Sequence, residues 1–343
     1  MSNFTVNPAN AKKLIMKCMK HHQVPLLTSA PGMGKSDIIK SIAKEMKLWL
    51  IDVRLAQKES VDLGGMPDLS GEYATYKQFD EFPTEKTPVP DGYNGWLIFC
   101  DELTQAKRDV QGAFHKISLD RMVGQEHLNK FAFVVAAGNR TQDRAGSNGL
   151  ITSLQSRLTH LELAVSIDDF LPYFMSIGGD PRITALLNFK NELLNNFDPL
   201  HTGNTYACSR TWHKLSIMTK HDTDLTADLV PLITGTVGEG AGAEYRNFCQ
   251  IWQELAEFKD VVAHPDTAKL SSNAATNYAM VGMLASKVDA DTLAPAVEYV
   301  MRMGPELQLT FLRMTSKAFM GALRVPNFQK LLTKFNKELK SYA

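Results

Sequence analysis

Five short apolar runs occupy the first half of the chain, and none follows residue 166. They are VPLLTSA (24–30), LWLIDVRL (48–55), WLIFCDE (96–102), FAFVVAAGN (131–139) and THLELAV (159–165). Each reads as a strand, and the runs at 24–30 and 96–102 suit strands that are buried. The intervening segments supply helices. Asn7-Pro8 reads as a cap followed by a first-turn proline, opening a helix to about residue 22. Ile38, Ile39, Ile42 and Met46 of KSDIIKSIAKEM fall at helical spacing, residues 105–119 read as a third helix, and 151–157 as a short one. Strands alternating with helices predict a parallel α/β domain over residues 1–165. Amphipathic helices at 168–177, 182–197, 209–219, 224–235 and 244–258, and more to the end, predict an all-α remainder.

Two stretches interrupt the alternation. Residues 57–95 are rich in Gly, Pro, Asp and Tyr without a period, and read as an irregular insert whose aromatics Tyr73, Tyr76, Phe79, Phe82 and Tyr93 either grip a substrate or, the favoured reading, pack the insert. Residues 120–128 suit a hairpin, with Gly124 between two extended runs. Near the C-terminus Phe328, Leu332, Phe335 and Leu339 read as the inner face of a last helix, and Lys330, Lys334, Lys337 and Lys340 as its solvated face.

Composition narrows the function classes. At 343 residues the chain exceeds one ordinary domain; with 44% hydrophobic and 22% charged residues it is of globular type. Lys plus Arg equals Asp plus Glu, 37 each, so no global basic field draws nucleic acid. Cys18, Cys100, Cys208 and Cys249 lie far apart without ligand spacing, which predicts reduced, mostly buried thiols. His21-His22 ends the first helix without metal-ligand partners. Lysines 12, 13, 17 and 20 break any leader-like apolar stretch, and no run reaches the roughly 20 residues of a membrane helix. The expectation is a cytoplasmic protein without membrane contact.

The residues that carry chemistry sit at the ends of the predicted elements. SAPGMGKS joins the first strand to a helix, where backbone N–H groups at a glycine turn can surround phosphates. Pro31, Gly32, Met33, Gly34, Lys35 and Ser36 form that cradle: the glycines allow close backbone approach, Lys35 reaches the β/γ oxygens, and the Ser36 hydroxyl suits Mg²⁺. Ser29 stands where the usual pattern opens with glycine. LIFCDE closes the third strand with Asp101, suited to hold Mg²⁺, and Glu102, suited to activate water. Asn139, ending the fourth strand, can hold an attacking water or serve only as a turn former. Arg157 precedes the fifth strand and Arg210 opens a later helix; alone, each reads as a surface arginine or as a group for the γ-phosphate.

In this order the segments SAPGMGKS, LIFCDE, AAGNR, SRLTHLEL and SRTWHKLS resemble Walker A, Walker B, sensor 1, arginine finger and sensor 2 of AAA+ ATPases of the MoxR type. RLAQKESVDLGGMP (54–67) and GTVGEGAGAEY (235–245) are similar to further family segments, so the resemblance covers about residues 7–258. It implies a P-loop core with strand order 5-1-4-3-2 and inserts near 57–95 and 119–130, a helical lid over 166–258, and a helical extension over 259–343. It further implies ATP and Mg²⁺ as cofactors, catalytic roles for Glu102, Asn139, Arg157 and Arg210, and a hexameric ring with ATP at subunit interfaces. The expected client is a protein, in this family often one with a von Willebrand factor A domain. The rival readings are a DNA-directed motor or helicase loader and a non-hydrolysing nucleotide-gated scaffold.

Overall fold

The computed structural model describes residues 4–143, 148–200, 202–222 and 225–335. Its strands form a parallel sheet of β1 (Thr5–Val6), β2 (Pro25–Ser29), β3 (Trp49–Arg54), β4 (Trp96–Asp101), β5 (Ala132–Asn139) and β6 (Thr159–Leu163), in the order β1-β6-β2-β5-β4-β3. The five anticipated strands thus lie in the order 5-1-4-3-2. A sixth, β1, pairs with the outer side of β6 through Thr5↔Glu162 and Val6↔Leu163. Two residues carry no readable period, so this edge strand leaves no mark in the sequence.

Buried apolar side chains on both faces explain why β2, β4 and β5 read as continuous apolar runs, whereas β3, at the sheet edge, leaves Trp49 and Asp52 exposed and buries only Val53, and β6 buries Leu161 and Leu163 in alternation. One face carries Leu26, Ile98, Cys100, Val134 and Ala136, packed with Val110, Phe114 and Ile117 of α3 (Arg108–Leu119). Because side chains alternate along a strand, Leu27, Phe99, Val135 and Ala137 point to the opposite face and are likewise buried. Helices α1 (Pro8–Lys20) and α2 (Lys35–Met46) also pack within this unit. Asn7 caps α1 by accepting from the Asn10 N–H at 2.9 Å, as the Asn-Pro pair predicts. His22, just beyond, stacks on Phe133. The third helix starts at Arg108 rather than 105, because Glu102 takes a positive φ of 61° and residues 102–106 form turns.

The insert after β3 is more ordered than its composition suggests. It contains a short helix, Ser60–Gly64, and an antiparallel pair, Met66–Asp68 with Thr75–Lys77. Three-residue strands are too short to show alternation. Of its aromatics Phe82 is buried, whereas Tyr73, Tyr76, Phe79 and Tyr93 are exposed, Tyr93 meeting Trp49 edge-on. The hairpin at Met122–Val123 and Glu126–His127 forms as expected. It interlocks with the insert: Glu85 N–H donates to His127 O, Asn129 N–H to Pro83 O, and a Cβ on Gly124 would strike the Gln78 side chain.

The chain divides into two compact units, residues 1–165 with 198–200, and 166–197 with 201–343. Among the described residues the second is all helix. It comprises α4 (Ile167–Ser176), α5 (Pro181–Phe189), α6 (Ser209–Thr219), α7 (Val230–Val237), α8 (Glu239–Gln253), α9 (Phe258–Ala263), α10 (Ala274–Lys287), α11 (Leu293–Met301), α12 (Pro305–Ala318) and α13 (Pro326–Lys334). Helix α7 starts six residues later than anticipated, and Asp224, in the expected start, lies outside the described residues. In α13, Phe328 and Leu331 are buried and Lys330 and Lys334 exposed; Lys337, Leu339 and Lys340 lie outside the described residues. Cys100, Cys208 and Cys249 are buried, Cys18 is partly so, and all four are free thiols. Among the described residues no helix is long and apolar enough to cross a membrane.

A buried ion pair organises the centre of this helical unit. Arg182 grips the Asp180 carboxylate with Nη2 at 2.8 Å from Oδ2 and Nε at 3.1 Å from both oxygens. It also donates to the carbonyls of Thr219, the last residue of α6, and of Asp222 just beyond it. Tyr245 of α8 donates to Asp180 Oδ2 at 3.0 Å. Burial opposes the charge on Arg182 most strongly, but hydrogen bonding to Asp180 and the attraction of Tyr245, Asp180 and Cys249 together outweigh it and raise its pKa; burial also pushes the neighbouring Cys249 thiol up to about 12. Removing one member of such a pair strands the other in a dry site. Arg182→Met is therefore expected to cost about 3–5 kcal/mol in urea unfolding followed by circular dichroism. A loss under about 1 kcal/mol would mean that water reaches Asp180 and that the network contributes little.

Candidate nucleotide site

The register of the sheet gathers the candidate residues at one edge. Ser29 of β2 pairs with Asn139 of β5, and Asp101 ends β4 on the other side of β5. All three end their strands at the carboxyl edge and, by alternation, lie on the face opposite Leu26, Cys100 and Ala136. In an open parallel sheet ligands bind beyond this edge, where the strand order changes direction.

Between β2 and α2 the chain turns through Gly32 and Gly34, both at φ 79°. This left-handed conformation is costly for residues with a Cβ, which is why glycines stand here. Gly34 is the N-cap of α2 and, having no side chain, supplies no side-chain cap to the first-turn N–H groups. A twelve-residue helix opening this way presents backbone donors and a positive dipole end, an arrangement suited to phosphate.

Lys35, the first helical residue, donates to Ser29 Oγ and to Asn139 Oδ1, both at 3.0 Å. Ser29, the departure from the usual glycine, is fully buried and donates to the Ala30 carbonyl at 2.7 Å. Its hydroxyl therefore belongs to the site as a lysine partner. Ser36 Oγ stands 3.5 Å from Asp101 Oδ2. The other Asp101 oxygen accepts the Glu102 N–H at 2.8 Å. Glu102 is held in its left-handed conformation by that bond and by the Gln105 and Ala106 N–H groups on its carbonyl. Such a non-glycine backbone costs on the order of 1–3 kcal/mol and persists where surroundings enforce it, often at functional sites.

Hard oxygens of Ser36 and Asp101, facing a loop suited to phosphate, fit a Mg²⁺ ion that takes one or two protein ligands and completes its shell with phosphate and water. Asn139 is steadied from below: Thr104 Oγ1 lies 3.0 Å from its carbonyl, and a Cβ on Gly138 would meet that Thr104 hydroxyl at 2.4 Å. Next along, Arg140 makes a two-point pair with buried Asp143 and reaches Glu162 at 3.2 Å. Hydrogen bonding to Asp143 raises its pKa, so it is a fixed structural cation.

Sequence reasoning missed Arg54 at the end of β3. Its Nη1 lies 3.5 Å from Asp101 and 3.6 Å from Glu102, while the rest of the guanidinium pairs with Asp52. Burial opposes its charge, yet Asp52, Asp101 and Glu102 together raise its pKa. Pairing across strands 47 positions apart is invisible without the register, although an arginine ending a strand beside an acidic one is a usable signal.

Two candidates remain, one in each unit. Arg157 follows the short helix Thr152–Gln155, donates to the Ser153 carbonyl and, among the described residues, leaves its buried Nε without a hydrogen-bond partner. Arg210 is exposed on the first turn of α6 in the helical unit.

No family model matches the sequence, and no curated protein matches it. Among solved structures, the chain is similar to NtrX from Brucella abortus in complex with ATP, at 13% identity and a TM-score of 0.42 over 98% of this chain and 68% of that one. NtrX in complex with ADP gives 14% and 0.40 over the same shares. A RuvB mutant from Thermotoga maritima gives 12% and 0.35, over 95% of this chain and 88% of that one. At these identities and scores the similarities assign neither activity nor ligand, which leaves the chain's own geometry. That geometry is an α/β P-loop fold with strand order 5-1-4-3-2, followed by a helical unit.

Proposed function

We propose that this chain is an AAA+ ATPase of MoxR-like character that binds ATP with Mg²⁺ at residues 31–36 and hydrolyses it. The observation that carries this reading is the convergence of Lys35, Ser36, Asp101 and Asn139 at the carboxyl edge of the sheet beside an uncapped helix N-terminus. Gly32, Gly34 and the first turn of α2 hold the phosphates, and Lys35 supplies the compensating charge. Ser36 and Asp101 are the residues that would hold Mg²⁺, which when bound neutralises charge on the β- and γ-phosphates. Glu102 takes the proton of the attacking water while Asn139 orients it. In the wider reading the protein works as a ring, in the family usually hexameric, with Arg157 completing the neighbouring copy's site and Arg210 acting from the helical unit. The helices then carry the nucleotide state to a protein client, in this family often a von Willebrand factor A domain protein.

The test of nucleotide binding is equilibrium titration with a fluorescent ATP analogue. Lys35→Ala removes a point charge that no neighbour replaces, and affinity is expected to fall by about two orders of magnitude, in line with loss of a partly buried charge-assisted contact. Unchanged affinity would put the nucleotide elsewhere or exclude it.

A further inference from the structure

Arg54 occupies a position of consequence for the site just described. Nη1 contacts Asp101 Oδ2 at 3.5 Å, the same oxygen that faces Ser36 Oγ at 3.5 Å, and Glu102 Oε1 at 3.6 Å. The other two nitrogens face Asp52, Nε at 3.3 Å from Oδ1 and Nη2 at 3.4 Å from Oδ2. Asp52 lies two residues earlier on β3, so strand alternation puts it on the same side as Arg54. One end of the guanidinium is therefore anchored, and the other bridges the two carboxylates assigned to the cation and to the water.

We propose that Arg54 is a displaceable counter-ion of the Asp101–Glu102 pair, anchored on Asp52, that competes with the divalent cation and sets the concentration at which it loads. The proposal rests on the nucleotide reading above. Adjacent carboxylates repel each other, and a cation at this site must displace the Nη1 contact before it gains full access to Asp101. When the contact breaks, Asp52 retains the guanidinium, so the displaced charge stays paired. The Arg54 side chain is 42% exposed, so solvent screens these contacts and the competition is modest. That suits a tuning device, since a fully buried pair would shut the cation out.

Mn²⁺ serves as the probe, titrated by electron paramagnetic resonance at saturating non-hydrolysable ATP analogue. Arg54→Gln is expected to bind Mn²⁺ roughly three- to tenfold more tightly than wild type. Asp52→Asn removes the anchor and leaves the guanidinium wholly to Asp101 and Glu102, so it is expected to shift affinity several-fold the other way. Metal-free ATP affinity and thermal melts of both variants should match wild type. Opposite shifts support the proposal, and this sign pattern is one that general loss of structure does not produce. Unchanged or weaker Mn²⁺ binding by Arg54→Gln, with metal-free ATP binding intact, overturns it. Failure of wild type to bind ATP at all would instead overturn the nucleotide reading.

Discussion

Glu102→Gln is expected to bind ATP as wild type does and to turn it over about 10² to 10⁴ times more slowly, the usual worth of a positioned general base. The substitution keeps the size of the side chain and leaves Asp101, Ser36 and Lys35 untouched. Its backbone constraints remain as well, because the Glu102 N–H still donates to Asp101 and its carbonyl still accepts from Gln105 and Ala106. What disappears is the carboxylate that accepts a proton, and with it one contact to Arg54. The measurement is single-turnover hydrolysis beside an equilibrium binding titration. A rate within threefold of wild type would show that another group activates the water; loss of binding would show a structural role for the carboxylate.

Much of the P-loop core was legible because its chemistry depends on local geometry. A buried strand that must turn sharply into a helix needs positive φ, and Gly32 and Gly34 stand where it occurs. Acids at the end of a wholly apolar strand have nowhere to go but the edge of the sheet, and Asp101 lies there. The 5-1-4-3-2 order came from resemblance, since alternation predicts parallel strands without ranking them. What stayed hidden was whatever depends on partners distant in sequence. Arg54 reads as one more charged residue until β3 is laid beside β4. Ser29 reads as a defect of the motif until its hydroxyl is found against Lys35. The two-residue strand β1 and the small antiparallel pair at Met66–Asp68 are too short to carry a period. The exposure of Tyr73 and Tyr76 is likewise set by how the insert folds, which composition does not determine.

In the proposed ring Arg157 belongs to a further class, because a residue that acts on a neighbouring copy would show no role within its own chain. Its local contacts are to the Ser153 carbonyl and, through its backbone, to Leu154. A guanidinium donated across an interface neutralises charge only in the transition state. Arg157→Ala is therefore expected to bind ATP normally and hydrolyse it about 10³ to 10⁵ times more slowly. If affinity and rate fall together, the arginine serves its own chain's structure or ground-state binding.

The composite site is the central claim, and mixing the two inactive variants tests it most directly. A Glu102→Gln chain still offers Arg157, and an Arg157→Ala chain still carries Glu102. Where the first donates its arginine to the second, one interface is complete. Steady-state ATP hydrolysis is measured across mixing ratios, with subunit exchange followed by fluorescence energy transfer. The account predicts that activity reappears in the mixture, peaks at intermediate ratios and vanishes on dilution below the concentration that holds the assembly together. A mixture that exchanges subunits yet stays as inactive as either parent would contradict it.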